Sequence, residues 1–248
     1  MTIETIGVVG GGVMGSGIAQ SLAVGGAHVT VRDVNDQMIE KSRATIVDGR
    51  YGLNRGVERG KTTQADADAA LARLNWTTDV KALASVDLVI EAVPENIDLK
   101  KKVWSELDAV VKPDAIFATN TSGLAISDLN KAVSEARRPK FAGMHFFSPA
   151  PVMKLVELIH APETSEETMT ALEELCSRAG KATVRVKDAP GRYGFIANRI
   201  YFAAVREAQK VLEEGIASAE DINKAMVMGF NWPVGPLAMV EGATKGWQ

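Results

Sequence analysis

The sequence predicts an α/β protein in which a doubly wound, mostly parallel sheet is followed by a small all-helical domain. Short apolar runs alternate with segments of helical periodicity as far as Lys187, which is typical of parallel strands joined by helices. A glycine-rich run directly follows the first apolar run, at the turn from a strand into a helix. After Lys187 only helical periodicity remains, so the sheet is expected to end there.

The first strand is predicted at Ile6–Val9 and the second at His28–Arg32, each as a short apolar run. The helix between them is predicted over Val13–Val24, and Gly25-Gly26 ends it. From Asp36 to about Trp76 the periodicity is helical, with interruptions at glycines 49, 52, 56 and 60. Within that stretch, Thr63 followed by Asp66 is predicted to cap the second half.

The rest of the sheet domain continues the alternation. Pro113 ends one of its helices, because proline cannot continue a helical hydrogen-bond ladder. Thr164 and Glu167 are predicted to form a capping box for a helix that ends at Gly180. The predicted strands are Asp87–Glu91, Ala115–Thr119, Phe141–His145, Lys154–Ile159 and Ala182–Val186, and the predicted helix between the first two is Leu99–Val111.

The domain boundary is placed after residue 188, which gives a first domain of 1–188 and a second of 189–248. A turn-rich linker begins at Asp188, and long helical patterns follow over Phe195–Glu214 and Ala219–Met228. The second domain is therefore expected to hold about two long helices and a short tail. The apolar stripe of the first helix, together with Trp232–Leu237 and Trp247, exceeds what two helices can cover, which predicts a homodimer through this domain.

The composition is globular and excludes several classes of protein. Hydrophobic residues make up 46% and charged residues 24% of the 248 residues. The single cysteine, Cys176, excludes an internal disulfide and a thiolate zinc site, and three histidines leave little for another metal site. A net charge of −3 disfavours a nucleic-acid partner, and no apolar run approaches the roughly 18 residues of a membrane span. With a strand already predicted near the first residue and no leader before it, we expect a cytoplasmic protein.

The glycine run fits the dinucleotide-binding pattern G-x-G-x-x-G in the context that the pattern requires. Its predicted cofactor contacts are Gly10, Gly12, Val13, Met14 and Gly15, at a helix N-terminus that favours phosphate. Asp33 lies 21 residues after Gly12, where a carboxylate accepts the adenosine ribose hydroxyls and repels a 2′-phosphate. The motif therefore predicts NAD rather than NADP, although Arg32 beside it is of the type that favours the phosphate. The alternative is a glycine-rich turn without a ligand.

A histidine and a glutamate flank a proline-containing loop. His145 ends a predicted strand, and ligands of doubly wound sheets bind at the carboxyl ends of strands. His145 and Glu157 each lie six positions from Pro151, so a reversal of the chain there would bring the two side chains face to face. A histidine held by a carboxylate is a general base with a fixed tautomer. Structural pairs of this kind also occur, so the residues alone leave both roles open.

Five stretches resemble the L-3-hydroxyacyl-CoA dehydrogenase family, which includes the 3-hydroxybutyryl-CoA dehydrogenases. They follow the family order over residues 1 to about 240 and read GGGVMGSGIAQ, VIEAVPEN, ATNTSGL, HFFSPAPVMKLVELI and GFIANR. The resemblance implies a Rossmann-type domain and a helical C-terminal domain that builds a homodimer. It also implies the reversible, NAD-linked oxidation of the 3-hydroxyl of a (3S)-3-hydroxyacyl-CoA to the 3-ketoacyl-CoA, a reaction of fatty acid β-oxidation.

The resemblance also assigns roles to single residues. His145 moves the proton and Glu157 holds its ring, while Ser122 and Asn198 hydrogen-bond the reacting oxygen of the substrate. Without the resemblance, Ser122 is equally a turn serine and Asn198 a residue of a helix surface. The family positions near the nicotinamide and its ribose are matched by Glu95, Lys100, Ser122 and Ser148. For Glu95 and Lys100 the alternative is a solvated, charged helix start.

Two further points concern charged residues. Glu91 lies inside an apolar strand, where an unpaired carboxylate is costly, so it needs a partner that the sequence does not identify. The family binds the adenine end of coenzyme A in the helical segment around residues 49–61. Arg55 is the predicted substrate contact there, and the other basic residues that could serve are Arg50, Arg59 and Lys61.

The chain departs from the family pattern at two places. Three residues are inserted within Pro190–Phe195, just before Asn198, and the chain stops at Gln248, so an abbreviated second domain is expected. Two other functions stay open: a non-catalytic protein, like the lens crystallins that resemble this family, and a dehydrogenase of another small hydroxy acid. The retention of the four predicted catalytic residues disfavours the first alternative.

Overall fold

The structure is a computed structural model that describes residues 2–245, with side chains over residues 2–240. Its strands form one sheet in the order β3-β2-β1-β4-β5-β6-β7-β8. All neighbouring strands run parallel except β6 and β7, which pair antiparallel, so the predicted mostly parallel sheet is confirmed. The strands are β1 (Thr5–Val9), β2 (His28–Arg32), β3 (Leu74–Thr77), β4 (Leu88–Glu91), β5 (Ile116–Thr119), β6 (Phe141–Phe146), β7 (Leu155–His160) and β8 (Ala182–Lys187).

The helices fall mostly where the periodicity predicts them. In chain order they are α1 (Val13–Val24), α2 (Asp36–Asp48), α3 (Leu53–Glu58), α4 (Gln64–Ala72), α5 (Ile97–Val110), α6 (Ile126–Leu129), α7 (Glu166–Arg178), α8 (Ala197–Glu213), α9 (Ala219–Phe230) and α10 (Pro236–Lys245). Thr63 caps α4 as predicted, because its side chain accepts a hydrogen bond from the Asp66 N–H. Among the described helices, none has the length and apolarity that a membrane crossing requires.

Helices cover both faces of the sheet, as strand β5 illustrates. Successive side chains of a strand point to opposite faces. Ile116 and Ala118 belong to the buried cluster that also contains apolar residues of α1 and α7. Phe117, between them, instead stacks on Trp104 of α5, with ring centroids 4.9 Å apart. Burial on both faces explains why the central strands read as continuous apolar runs rather than alternating ones.

Two local predictions are wrong. Leu74–Thr77 is not the end of a helix but the edge strand β3, which pairs in parallel with β2 from Val29↔Leu74 to Arg32↔Thr77. Four residues are too few for a period, and pairing with β2 decides their conformation. The capping box at Thr164 is also wrong, because Ser165 caps α7 by accepting a hydrogen bond from the Thr168 N–H. Thr164 instead donates to the Phe141 carbonyl, 2.7 Å away.

The chain divides into two compact units, Met1–Arg192 and Tyr193–Gln248, four residues beyond the predicted boundary. The second unit holds a third described helix, α10, where a short tail was predicted. Pro236 suits the first position of a helix. Asn223 of α9 caps that helix from a distance, since its Oδ1 accepts hydrogen bonds from Leu237 N–H and Ala238 N–H. The predicted contribution of Trp247 lies outside the described residues.

Candidate active site

A cavity of about 780 Å³ opens at the carboxyl ends of β1, β2, β4 and β5. Strand order reverses direction at this point, with β1 lying between β2 and β4, and ligands of doubly wound sheets bind there. Predicted cofactor residues that line the cavity are Gly10, Gly12, Val13, Met14, Asp33, Glu95 and Ser122.

The glycine loop has the geometry of a phosphate cradle. A Cβ on Gly10 would lie 2.8 Å from the Ala92 carbonyl oxygen, and one on Gly15 only 1.7 Å from the Gly10 carbonyl oxygen. Close backbone packing therefore requires both glycines. Gly12 faces open space, with no described atom within 4 Å of its would-be Cβ, and it starts α1 without a side-chain cap. The first N–H groups of α1 and its positive dipole end therefore suit the pyrophosphate of a dinucleotide.

Asp33 does more than the sequence suggests. Its Oδ2 accepts a hydrogen bond from Gly11 N–H at 2.6 Å, and its Oδ1 accepts one from Val34 N–H at 2.6 Å. The carboxylate thus braces the glycine loop while it lines the cavity, and each oxygen keeps a lone pair for a ribose hydroxyl. Arg32 also lines the cavity, with its Nη2 3.9 Å from Oε1 of Glu106.

Glu91 finds its partner in Lys100. The Lys100 Nζ donates to Glu91 Oε1 at 2.5 Å and lies 3.4 Å from Glu95 Oε2. The side chains of Lys100 and Glu91 are 1% and 0% exposed, so the alternative of a solvated helix start does not hold for this lysine. Lys100 is not among the residues that line the cavity, whereas Glu95 is. A direct contact of Lys100 with a cofactor stays a prediction.

The loop after β5 carries Ser122 to the cavity. Glu95 Oε1 accepts hydrogen bonds from Ser122 N–H at 2.8 Å and from the Thr121 hydroxyl at 2.6 Å. Asn120 lines the same cavity and accepts a hydrogen bond from Phe146 N–H, next to His145 in the chain. Asn120 and Thr121 are site residues that were not predicted from the sequence. The signal was available, since polar residues that follow an apolar strand at its carboxyl end are candidates for a ligand site.

The histidine and glutamate of the sequence motif are brought together by strand pairing. His145 of β6 and Glu157 of β7 are directly opposed in the antiparallel ladder. The His145 Nδ1 and Glu157 Oε2 are 2.8 Å apart, and both residues are buried. When Nδ1–H is donated to the carboxylate, the imidazole carries its basic lone pair on Nε2. The arrangement can therefore take up a proton and stabilise the resulting positive charge.

The loop between β6 and β7 carries Ser148, whose side chain is exposed. Lys181 anchors this loop, because its Nζ donates to the Ala150 and Met153 carbonyls at 2.6 and 2.9 Å. Burial lowers the pKa of Lys181. Gly17 of α1 packs beneath the loop, where a Cβ would lie 2.9 Å from Cδ of Pro151. The glycine-loop helix and the histidine–glutamate loop are thus in direct contact.

A second cavity of about 220 Å³ brings the basic residues of the 49–61 segment together. Arg50, Arg55, Arg59 and Lys61 all line it, and Pro151 and Val152 contribute to its lining as well. Arg55 also pairs with Glu58, Nη1 to Oε2 at 2.6 Å, and this hydrogen bond raises the pKa of the arginine. Four cations around one cavity suit a ligand that carries several phosphate charges.

Asn198 lies in the second unit, in the first turn of α8, where its side chain is half-buried. The inserted stretch before it uses two glycines with positive φ, Gly191 at 76° and Gly194 at 92°. Gly194 packs against the start of α8, since its would-be Cβ lies 2.8 Å from Arg199 N. A role of Asn198 together with Ser122 stays a prediction.

The chain matches two family models. Residues 5–189 match the 3-hydroxyacyl-CoA dehydrogenase NAD-binding domain, and residues 194–247 match the C-terminal domain of that family. It is 41% identical over 239 residues to a 3-hydroxybutyryl-CoA dehydrogenase of Mycobacterium tuberculosis, covering 96% of this chain and 81% of the relative. It is 38% identical over 242 residues to the mitochondrial hydroxyacyl-coenzyme A dehydrogenase of Rattus norvegicus, covering 96% and 76%.

Solved structures give the same grouping. The crystal structure of (S)-3-hydroxybutyryl-CoA dehydrogenase from Ralstonia eutropha superposes with a TM-score of 0.90 at 44% identity, covering 96% of this chain and 81% of that one. The similarity therefore extends over both units of the chain.

Proposed function

This chain belongs to the 3-hydroxyacyl-CoA dehydrogenase family, and we propose that it reversibly oxidises the 3-hydroxyl of a (3S)-3-hydroxyacyl-CoA to the 3-ketoacyl-CoA with NAD. The observation that carries the proposal is the buried His145–Glu157 pair, with Nδ1 and Oε2 2.8 Å apart. It lies on the strand whose Phe146 N–H is bonded to Asn120 of the dinucleotide cavity. This hydrogen bond connects the strand of the proposed general base to the proposed cofactor site.

The residues of the cavity would hold NAD along its length. The glycine loop, Gly10 to Gly15, would face the pyrophosphate, and Asp33 would accept hydrogen bonds from the adenosine ribose hydroxyls. Glu95, which pairs with Lys100, would contact the nicotinamide ribose, and Ser122 and Ser148 would contact the nicotinamide end. When bound, NAD supplies the acceptor for the hydride that leaves C3 of the substrate.

His145 is the proposed general base. Its Nε2 takes the proton of the 3-hydroxyl, and Glu157 stabilises the imidazolium through the hydrogen bond at Nδ1. In the direction of ketone reduction the same nitrogen returns the proton. Ser122 and Asn198 are proposed to hold the reacting oxygen by hydrogen bonds, which orient it toward His145.

Coenzyme A is proposed to place its phosphate-bearing adenine end in the basic cavity. Arg55 is the main candidate contact, and Arg50, Arg59 and Lys61 line the same cavity. The cavity is also lined by Pro151 and Val152 of the loop that joins His145 to Glu157. The adenine end of the bound coenzyme would therefore lie against the loop that joins His145 to Glu157.

One assay panel tests the function. NADH oxidation is followed with acetoacetyl-CoA, with a longer 3-ketoacyl-CoA and with free acetoacetate, using purified chain at equal concentrations. We expect turnover with the CoA thioesters and little with free acetoacetate. Free acetoacetate lacks the phosphate groups that the basic cavity is proposed to bind. Turnover of free acetoacetate at the same efficiency would instead identify a small hydroxy-acid dehydrogenase. A protein that binds NADH but turns over none of the three substrates would be a non-catalytic member of the family.

A further inference from the structure

A fully buried charged group of the first unit lies at the end of β4. Glu91 is 0% exposed, and its carboxylate accepts three hydrogen bonds: from Lys100 Nζ at 2.5 Å, from the Thr119 hydroxyl at 2.7 Å and from Val93 N–H at 2.8 Å. Lys100 and Thr119 belong to α5 and β5. Three successive elements therefore converge on one carboxylate directly behind the dinucleotide cavity.

Stability is a weak reason for such a pair. Removing two charges from water costs as much as their attraction returns, so a buried ion pair usually adds little to the free energy of unfolding. The same strand has a plainly structural pair at its other end, where Lys112 Nζ and Asp87 Oδ1 are 2.7 Å apart and partly exposed. That pair is far less buried. The pair at the cavity end is fully desolvated, so it rigidly fixes the geometry of the groups around it.

An ion pair and two hydrogen bonds connect this pair to the cavity surface. Lys100 Nζ is 3.4 Å from Glu95 Oε2, and Glu95 Oε1 accepts hydrogen bonds from Thr121 and from Ser122 N–H. Glu95 is 37% exposed, so without a tether its carboxylate would sample several rotamers. The buried ammonium restricts it to the rotamer that holds the Ser122 loop.

We propose that Glu91 is a positioning residue: through Lys100 it fixes the carboxylate of Glu95, and through Glu95 it fixes the backbone of Ser122. This inference rests on the proposed function for its catalytic consequence, since Ser122 is the proposed contact of the reacting oxygen. Its structural half, the tether of Ser122 to Glu91, stands without any substrate. Misplacing a contact by about 1 Å lowers turnover by about a hundredfold.

The main test compares two isosteric changes at the two ends of β4. Glu91→Gln removes the buried charge, and Asp87→Asn removes the charge at the other end of β4 as the matched control. We expect Glu91→Gln to lower kcat/KM for acetoacetyl-CoA by about tenfold to a hundredfold, and Asp87→Asn to leave it within about twofold of the wild type. An equal effect of the two variants would show general destabilisation and overturn the proposal.

A double-mutant cycle tests the route through Glu95. If Glu91 acts only through Glu95, then Glu91→Gln adds little to the loss already caused by Glu95→Gln. Fully additive losses would contradict this route. Should Glu91→Gln fail to fold, Thr119→Val replaces it, because valine removes one hydrogen bond to Glu91 and keeps the side-chain shape. The expected loss with Thr119→Val has the same direction and a smaller size.

Amide hydrogen exchange at Ser122 separates the inference from the proposed function. It is measured on the protein with NADH and no acyl substrate. We expect faster exchange of the Ser122 N–H in Glu91→Gln by at least about tenfold, and no change in Asp87→Asn. Unchanged exchange in Glu91→Gln overturns the tether even when the wild type is active. Faster exchange in Glu91→Gln, when the wild type turns over no substrate, would support the tether and contradict the proposed dehydrogenase activity.

Discussion

At the scale of single residues, the candidate site depends on the contact between His145 and Glu157. The register in which β6 pairs with β7 determines this contact. His145 and Glu157 are directly opposed across β6 and β7, so a slip by one residue would put the two side chains on opposite faces of the sheet. Lys181 secures the intervening loop by bonds to two of its carbonyls. The geometry of the proposed catalytic pair is therefore a consequence of strand pairing together with one anchored loop.

The first prediction concerns this pair. His145→Gln should lower kcat by about 10²–10⁴-fold, which is the usual contribution of a general base, with a smaller change in KM. Glu157→Gln should also lower kcat, because the imidazolium loses its counter-charge. Steady-state kinetics in both directions give the two parameters.

His160→Gln is the matched control for this prediction, since His160 ends β7 and pairs with Ala142 at the far end of the same ladder. It should keep wild-type kcat. Wild-type turnover by a folded, NADH-binding His145→Gln variant would remove the histidine from the mechanism.

A second prediction concerns Asp33. Asp33→Ala should weaken NAD binding by about 1.5–3 kcal/mol, because it removes hydrogen bonds to a charged acceptor. It also frees the Gly11 N–H that the carboxylate holds at 2.6 Å. Asp33→Asn, which keeps one oxygen acceptor, should lose less. Titration of NADH fluorescence measures the affinities, with Asp36→Ala in the first turn of α2 as the control. Equal kcat/KM of the wild type with NAD and NADP would contradict the assigned preference.

At the scale of elements, β4 is held by ionic groups at both ends, and only one end faces the cavity. Asp87 precedes the strand and joins three elements, since it accepts hydrogen bonds from Thr5 N–H and Glu4 N–H beside β1 and from Lys112 after α5. Partial burial of Asp87 opposes its charged form, but these hydrogen bonds outweigh it and hold the pKa at about 2. The charged carboxylate therefore stabilises the fold.

The third prediction follows from that pKa. Because the folded-state pKa lies below the unfolded value of about 4, Asp87 contributes stability above pH 4 and loses it as the pH falls toward 2. Allowing for solvent screening at a partly exposed pair, Asp87→Asn should lower the free energy of unfolding by about 1–2 kcal/mol at pH 7. Urea unfolding at several pH values checks this. A difference that persists unchanged at pH 2 would contradict the ionic cause.

The elements that the sequence predicts are those with local signals. Apolar runs such as β1 and side-chain caps such as Thr63 on α4 are encoded within a few residues. Helices α6 and α10 were missed because their caps come from elsewhere. Asp188 accepts hydrogen bonds from Ile126 N–H and Ser127 N–H at the start of α6, and Asn223 caps α10.

The residues of the candidate site likewise divide into those with a local sequence signal and those placed by tertiary contacts. The glycine loop and Asp33 follow a fixed spacing, and His145 and Glu157 flank one proline loop, so both were predictable from the sequence. The Glu91–Lys100–Glu95 contacts depend on how β4 meets α5, which no spacing rule supplies. The same holds for Asn120, whose bond to Phe146 N–H exists only because β5 and β6 are neighbours.

At the scale of the whole molecule, the two units differ in how well they cover their apolar residues. The first unit buries a continuous cluster that involves both the central strands and the helices around them. In the described part of the second unit, large apolar side chains remain exposed, among them Ile200 at 64%, Met228 at 77% and Phe230 at 75%. Large apolar side chains that are exposed in one part of a protein are candidates for an association surface.

The last prediction is that this surface is covered by the second unit of another copy, in a two-fold homodimer. Three described helices cannot bury two apolar stripes by themselves: in α8 only Ala208 is buried, and in α9 only Ile222. An obligate interface of this kind should bury well over about 2,000 Å² in total. Light scattering at low micromolar concentration should give twice the 26.5 kDa of one chain. Ile200→Glu, which places a charge on the exposed stripe, should dissociate or unfold the dimer, whereas Gln209→Glu on the same helix should not. A stable, folded and active monomer of 26.5 kDa would contradict the dimer, because its exposed apolar residues would then need no partner.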